Sequence, residues 1–214
     1  MFETTVTLLL SGEFICSIRY PDAWRFLEDE AQRRDAEQFL ARLGRRLTRT
    51  RQGGAWYAAY EDIGSDERKA IREGFADIKH NLRLLVGFFV HVMQALRQEQ
   101  FLAPGSIIES SRLMAAIDEN PNLRVELQGL AGLGKGQGGD GTLRNTLERL
   151  LKRLRDDGYL VLANPEREIY EVTGKIEYLQ EVVDFLMAHQ SIPDEIPDGM
   201  GEASDAEDAQ GSLL

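Results

Sequence analysis

Cysteine is almost absent: Cys16 is the single thiol in 214 residues, so no disulfide can form within the chain. That usage fits a reducing compartment. Long apolar runs are missing too. A bilayer span needs roughly 18 to 20 apolar residues, and the greasiest run, Leu84 to Met93, is shorter and holds Gly87 and His91. No membrane-spanning helix is expected. The start, MFETTVTLLLSGEF, lacks a basic region and carries Glu3 and Glu13, so no signal peptide is expected either. A cytoplasmic location is the resulting expectation. The three histidines, His80, His91 and His189, are scattered without metal-ligand spacing. His91 sits in an apolar run and reads as core, and Cys16 reads as a small buried hydrophobe. Nucleophile elbows, HExxH and paired-carboxylate signatures are all lacking. No catalytic, cofactor or metal residue is assigned, and the chain is read as a non-enzyme.

What is present is acid, and it is unevenly placed. The net charge is −11. Seven acidic residues and no basic ones fall between Ser191 and Leu214, which leaves 29 acids against 25 bases elsewhere. Pro193, Pro197, Gly199 and Gly201 oppose a helix there, so residues 191–214 read as a disordered acidic tail.

The rest alternates helix signals with hairpin signals. Pro21 to Leu43 reads as two helical pieces, with Ala36, Phe39, Leu40 and Leu43 on one face and Gly44 as a left-handed stop. Arg45 to Arg51, Gln52-Gly53-Gly54 and Ala55 to Tyr60 read as a hairpin. Ser65 to Gln98 reads as one long helix, or two joined at Gly87. Ile71, Phe75, Ile78, Leu82, Leu85, Phe89, Val92 and Leu96 form its heptad seam, which suits either internal core or a dimer contact. The order then returns: a helix over Ile107 to Ile117, a second over Leu123 to Leu130, a strongly amphipathic one carrying Leu143, Leu147, Leu150, Leu151 and Leu154, and a stop at Asp157-Gly158. A hairpin follows over Tyr159 to Val172 with its turn at Asn164-Pro165, and a last helix over Ile176 to His189. The fold class is therefore mainly α with small β-hairpin wings: two tandem winged-helix domains, 1–62 and 104–190, joined by a helical spine, 63–103.

Gly132 to Gly141 holds six glycines in ten residues. It imitates a phosphate loop (Gly129 to Gly134-Lys135), but Gly136 stands where Ser or Thr should hold magnesium, and it imitates a dinucleotide fingerprint (Gly134, Gly136, Gly139). Both need a preceding parallel strand, and a helix is expected there instead. Two basic clusters remain: Arg42, Arg45, Arg46, Arg49 and Arg51 around the first hairpin, and Arg144, Arg149, Lys152 and Arg155 away from the leucine face of the later helix. Phosphate contact is the use such clusters serve, with Lys135 a further candidate from the glycine loop. The alternative for the second cluster is a solvated face of intrahelical ion pairs.

The segments CSIRYPDAWRFLEDEAQ, RRLTRTRQGGAWYAAYED, PGSIIESSRLMAAIDENPNLRVEL, TLRNTLERLLKRLRDDGYLVL and EREIYEVTGKIEYLQEVVDFLMAHQ together resemble the kleisin-interacting subunits of bacterial SMC complexes, the MukE/MksE type. The resemblance implies a homodimer that grips a kleisin of MukF or MksF type and, through it, an SMC ATPase of MukB or MksB type. It implies roles in chromosome organisation and segregation at the nucleoid, or in plasmid defence, with DNA held by its backbone and the ATP chemistry left to the SMC partner. The spine residues Phe75, Ile78, Leu82, Leu85, Phe89 and Val92 would suit the dimer or kleisin contact. Two other readings stay open: an operator-binding transcriptional regulator using Ala36–Leu43 and Leu143–Leu154 as recognition helices, and a nucleotide-dependent enzyme using the glycine loop.

Overall fold

In the computed structural model, residues 1–62, 64, 81–97, 101–132 and 142–188 are described. They form a mainly α protein with small antiparallel β-hairpins. The first half opens with α1 (Phe2–Leu10), which buries Thr5, Val6 and Leu9. Pro21, whose fixed φ suits a first helical turn, starts α2 (Pro21–Glu28). Asp29 breaks α2 from α3 (Glu30–Ala41) by taking an extended conformation, and its carboxylate caps α3 by accepting from the Gln32 amide at 3.0 Å. Gly44, at φ +65°, turns the chain out of α3. The strands β1 (Arg45–Arg49) and β2 (Trp56–Tyr60) then pair antiparallel, Arg45 opposite Tyr60 and Arg49 opposite Trp56. Ile15 adds an isolated bridge on the far side of Trp56. Val6, Leu9, Ile15, Phe26, Leu27, Ala36 and Leu40 fill the core between them.

Among the described residues, the second half repeats that order with two extra helices. A helix we label α4 covers residues 81–95 among those described. It is followed by β3 (Ile107–Glu109), α5 (Ser110–Glu119), α6 (Pro121–Gly132), α7 (Leu143–Asp156), β4 (Leu160–Asn164), β5 (Ile169–Val172) and α8 (Lys175–Ala188). The sheet order is β3-β5-β4, antiparallel throughout. Thr142 caps α7, and Gly158, at φ +85°, ends the turn after it.

Two sequence expectations are corrected here. Ile107 to Glu109 is strand, because paired β-branched residues against β5 bury Ile108 fully, so the helix begins only at Ser110. In α3 only Ala36 and Leu40 of the expected stripe are buried, while Phe39 and Leu43 are 38% and 50% exposed. Helix α4 runs unbroken through Gly87; a Cβ there would lie 2.6 Å from a Leu130 methyl. Gly87 thus permits close approach of α4 and α6 at the usual cost of a glycine inside a helix.

The two halves meet directly. The turn of the first hairpin lies on α8, where Glu177, buried, accepts from the Thr50 hydroxyl and from the Gly54 amide at 2.7 Å. Glu181 accepts from the Arg51 amide at 2.6 Å, and Gln52 donates to Gln180 at 3.0 Å. Beside them Phe14, Tyr57 and Tyr178 form a ring cluster with centroids 4.8–5.4 Å apart. The Lys175 ammonium sits over Phe14 and Tyr159, and its burial lowers its pKa.

Candidate nucleic-acid and partner interface

The first basic cluster divides by what each guanidinium already touches. Arg49 is committed to the fold: it pairs with Glu28 at 3.2 Å, donates to the Gly53 carbonyl at 2.9 Å and lies over the rings of Trp24 and Trp56. Arg45 stacks on its cross-strand partner Tyr60, 3.5 Å from the ring centroid, which holds the guanidinium plane, and among the described residues no carboxylate pairs with its N–H edge. Arg46 and Arg51 are exposed, and among the described residues neither side chain has an ion pair. Arg42, at the end of α3, faces elsewhere, into a cleft of about 400 Å³ shared with Phe2, Phe26, Asp35 and Phe39.

Most of the second cluster is paired with acids. Arg144 pairs with Glu148 at 2.8 Å and with Glu168 at 3.6 Å. Lys152 pairs with Asp156 at 2.8 Å, and Arg155 reaches the same carboxylate at 3.2 Å. Arg149 donates to the Asn145 carbonyl and the Thr146 hydroxyl. The cations draw the Asp156 carboxyl below its usual range, first through its hydrogen bond with Lys152. Three of the four cations on this face of α7 are therefore paired, and Arg149 has no carboxylate partner among the described residues. Lys135 and the glycine-rich stretch 133–141, including both phosphate-motif likenesses, lie outside the described residues.

Among the described residues, the seam of the central helix points inward. Leu85, Phe89 and Val92 are buried in the second half's own core with Leu113, Ile117 and Leu151, and Leu82 packs against it. Phe75 and Ile78 lie outside the described residues, as do the acidic tail, His80 and His189. Cys16 and His91 are both buried, each 1% exposed.

His91 has one neighbour of note: its Nδ1 is 3.4 Å from a Glu126 oxygen, while its Nε2 is enclosed and has no hydrogen-bond partner among the described residues. Burial dominates and lowers the His91 pKa, partly offset by Glu126. The folded form thus takes up a proton less readily than the unfolded chain, whose histidine titrates near pH 6.5. Stability from the neutral ring is present above that value and is lost as pH falls through the lower, folded value. The wild type is expected to lose more melting temperature than His91→Gln between about pH 7 and pH 5. Parallel pH profiles in thermal unfolding would remove His91 as the cause.

Among the described residues, no group of three His, Cys, Asp or Glu gathers as a metal site would, and no helix is long and apolar enough to cross a membrane. The molecule so defined pairs two helix-and-hairpin units, with open basic groups on the first hairpin. Compared with known families, residues 1–183 match Condensin complex protein MksE, and the chain belongs to that family. No curated protein matches it.

Proposed function

We propose that this chain is a non-catalytic accessory subunit of a bacterial SMC complex: a homodimer of tandem winged-helix units that binds a kleisin of MksF type, reaches the SMC ATPase through it, and touches DNA without sequence preference. The observation that carries this reading is the family match, which spans both units. The repeated order of helices and hairpin supports the winged-helix assignment. We assign residues 1–62 to the first unit and place α4 in the second, since its apolar face is part of that core. Chromosome organisation or plasmid defence in the cytoplasm is the setting such a subunit serves. Co-expression with kleisin-like and SMC-like neighbours is the direct test. A stoichiometric complex is the expected result, and a chain that purifies alone would sink the proposal.

For DNA, Arg45, Arg46 and Arg51 are the groups we assign to phosphate contact, because they cluster on the first hairpin and among the described residues none is held by a carboxylate. Replacing all three by Ala should lower the salt slope of duplex binding by about 0.9 per lost contact and weaken binding about tenfold or more at low salt. The paired Arg144→Ala and Lys152→Ala variants should change it less than about twofold. Unrelated duplexes should bind alike; an operator preferred by more than about a hundredfold would favour the regulator reading. The outward faces of α3 and α7 offer little for base readout, since Arg34 pairs with Glu30, Arg33 with Glu37, and on α7 Arg144, Lys152 and Arg155 pair with acids as described.

A further inference from the structure

The first hairpin has two unlike faces. Residues opposite one another in an antiparallel pair project to the same side of the sheet. Leu47, Trp56 and Ala58 therefore share one face, and they pack it onto the core of the first half. Arg46, Thr48, Tyr57 and Ala59 share the other. That second face turns to α8, where Tyr57 meets Tyr178 with ring centroids 5.4 Å apart. Arg51, just beyond β1, is anchored on the same helix, its amide donating to Glu181 at 2.6 Å. Burial raises the Tyr57 pKa, as do Glu181 and Tyr178, while Arg46 and Arg51 both act to lower it. The two guanidiniums are thus within Coulombic reach of one hydroxyl, beside α8. Both are exposed, and among the described residues neither has a carboxylate partner.

Helix α8 also leads into the most acidic part of the chain. Residues 191–214 hold seven acids and no base, so they contain no cation of their own to pair with. Glu181 lies seven residues before Ala188, the end of α8, about 10 Å of helical rise. The first acid of the stretch, Asp194, comes six residues after Ala188, and six residues can span up to about 20 Å. The acids can therefore reach back to the helix turn on which Arg51 sits. A tethered group at such separations meets its target at an effective concentration on the order of millimolar. The cations of α7 compete poorly, since Arg144, Lys152 and Arg155 already have acids.

We propose that the acidic stretch of residues 191–214 docks on Arg46 and Arg51 of its own chain and screens that face of the hairpin from free DNA. The consequence for DNA rests on the phosphate-contact reading above; the docking itself does not.

The docking is tested in the whole chain by placing a nitroxide at Ser204→Cys (Cys16 is buried) and following isotope-labelled arginine side chains by NMR. The Nε–H signals of Arg46 and Arg51 should broaden at low salt and recover in about 0.5 M salt, while that of Arg149 stays sharp. Diluting the labelled chain tenfold into unlabelled protein should leave the broadening in place. Signals of Arg46 and Arg51 that stay sharp, that broaden no more than Arg149, or that recover on dilution would each overturn the proposal. The consequence is tested by replacing the seven acids with Asn and Gln and measuring duplex binding at low salt. Affinity should rise about threefold to tenfold, and less than about twofold when Arg46 and Arg51 are both Ala. A rise that persists without the two arginines would mean general charge repulsion and overturn the screening. A chain that binds no duplex with its acids present or replaced would overturn the DNA reading, and the nitroxide result would still decide the docking.

Discussion

Gly174→Ala should melt about 6–12 °C below the wild type, the shift that a loss of about 3 kcal/mol produces in a chain of this size. The reason is a backbone contact. A Cβ on Gly174 would stand 2.2 Å from the Gly54 carbonyl oxygen and 2.9 Å from the Cys16 Cβ. Neither can rotate aside as a long side chain can. The first hairpin would have to lift from α8, stretching the bonds from Thr50 and Gly54 to Glu177. Gly54→Ala meets the Glu177 carboxylate instead, at 2.3 Å. That group can swing away, but it leaves its donors unpaired, so a smaller loss of about 1–3 kcal/mol is expected. Gly129→Ala is the control: its Cβ meets nothing within 4 Å, and alanine inside a helix should stabilise by about 0.5–1 kcal/mol. Differential scanning calorimetry orders the three. A Gly174→Ala variant that melts with the wild type would refute the close approach.

Phe89→Ala should cost about 3–5 kcal/mol, the usual range for deleting a buried phenyl ring. Phe89 is fully buried and meets Phe88 and Tyr159 edge-on, with centroids at 5.8 and 6.3 Å. The measurement also separates two roles for the heptad seam. A core residue lowers the melting temperature of the isolated chain. A partner-facing residue leaves it unchanged and weakens only the assembly. Denaturant unfolding of the isolated protein decides between them, and an unchanged midpoint would contradict the packing seen here.

The elements were legible where one physical signal dominated. Leu147, Leu150, Leu151 and Leu154 are all buried in α7, as an apolar stripe of helical period requires. Gly44 and Gly158 take left-handed conformations at the helix stops read from the sequence. Periodicity said less about what covers a stripe. Phe39 and Leu43 share the period of Ala36 and Leu40 yet stay exposed, since spacing fixes a face and only tertiary contact fixes its neighbour. The described part of the Phe89 seam shows the converse: Leu85, Phe89 and Val92 follow a pattern equally suited to a partner but are covered by the chain's own helices. Ile107 to Glu109 was hidden because three residues are too few to show a period of two, and their strand character comes from β5, some sixty residues away in the chain. Among the site residues, a cluster of bases was visible, but its division into free and neutralised groups was not. Arg49 is tied by Glu28 and two tryptophans, and α7 by its own acids, and such pairing depends on contacts that a one-dimensional reading does not resolve. The joint around Glu177 left one trace, the paired glycines 53 and 54, which a turn already explained.

That joint has a mechanical corollary. In many proteins a β-ribbon sways as an independent finger. Here the tip of the ribbon bearing Arg45, Arg46 and Arg51 is riveted to α8 through Glu177 and Glu181. Tension applied to the ribbon by a bound polymer would therefore be transmitted as torque on the opposite lobe, so the protein would behave as a stiff lever and not as two beads on a string.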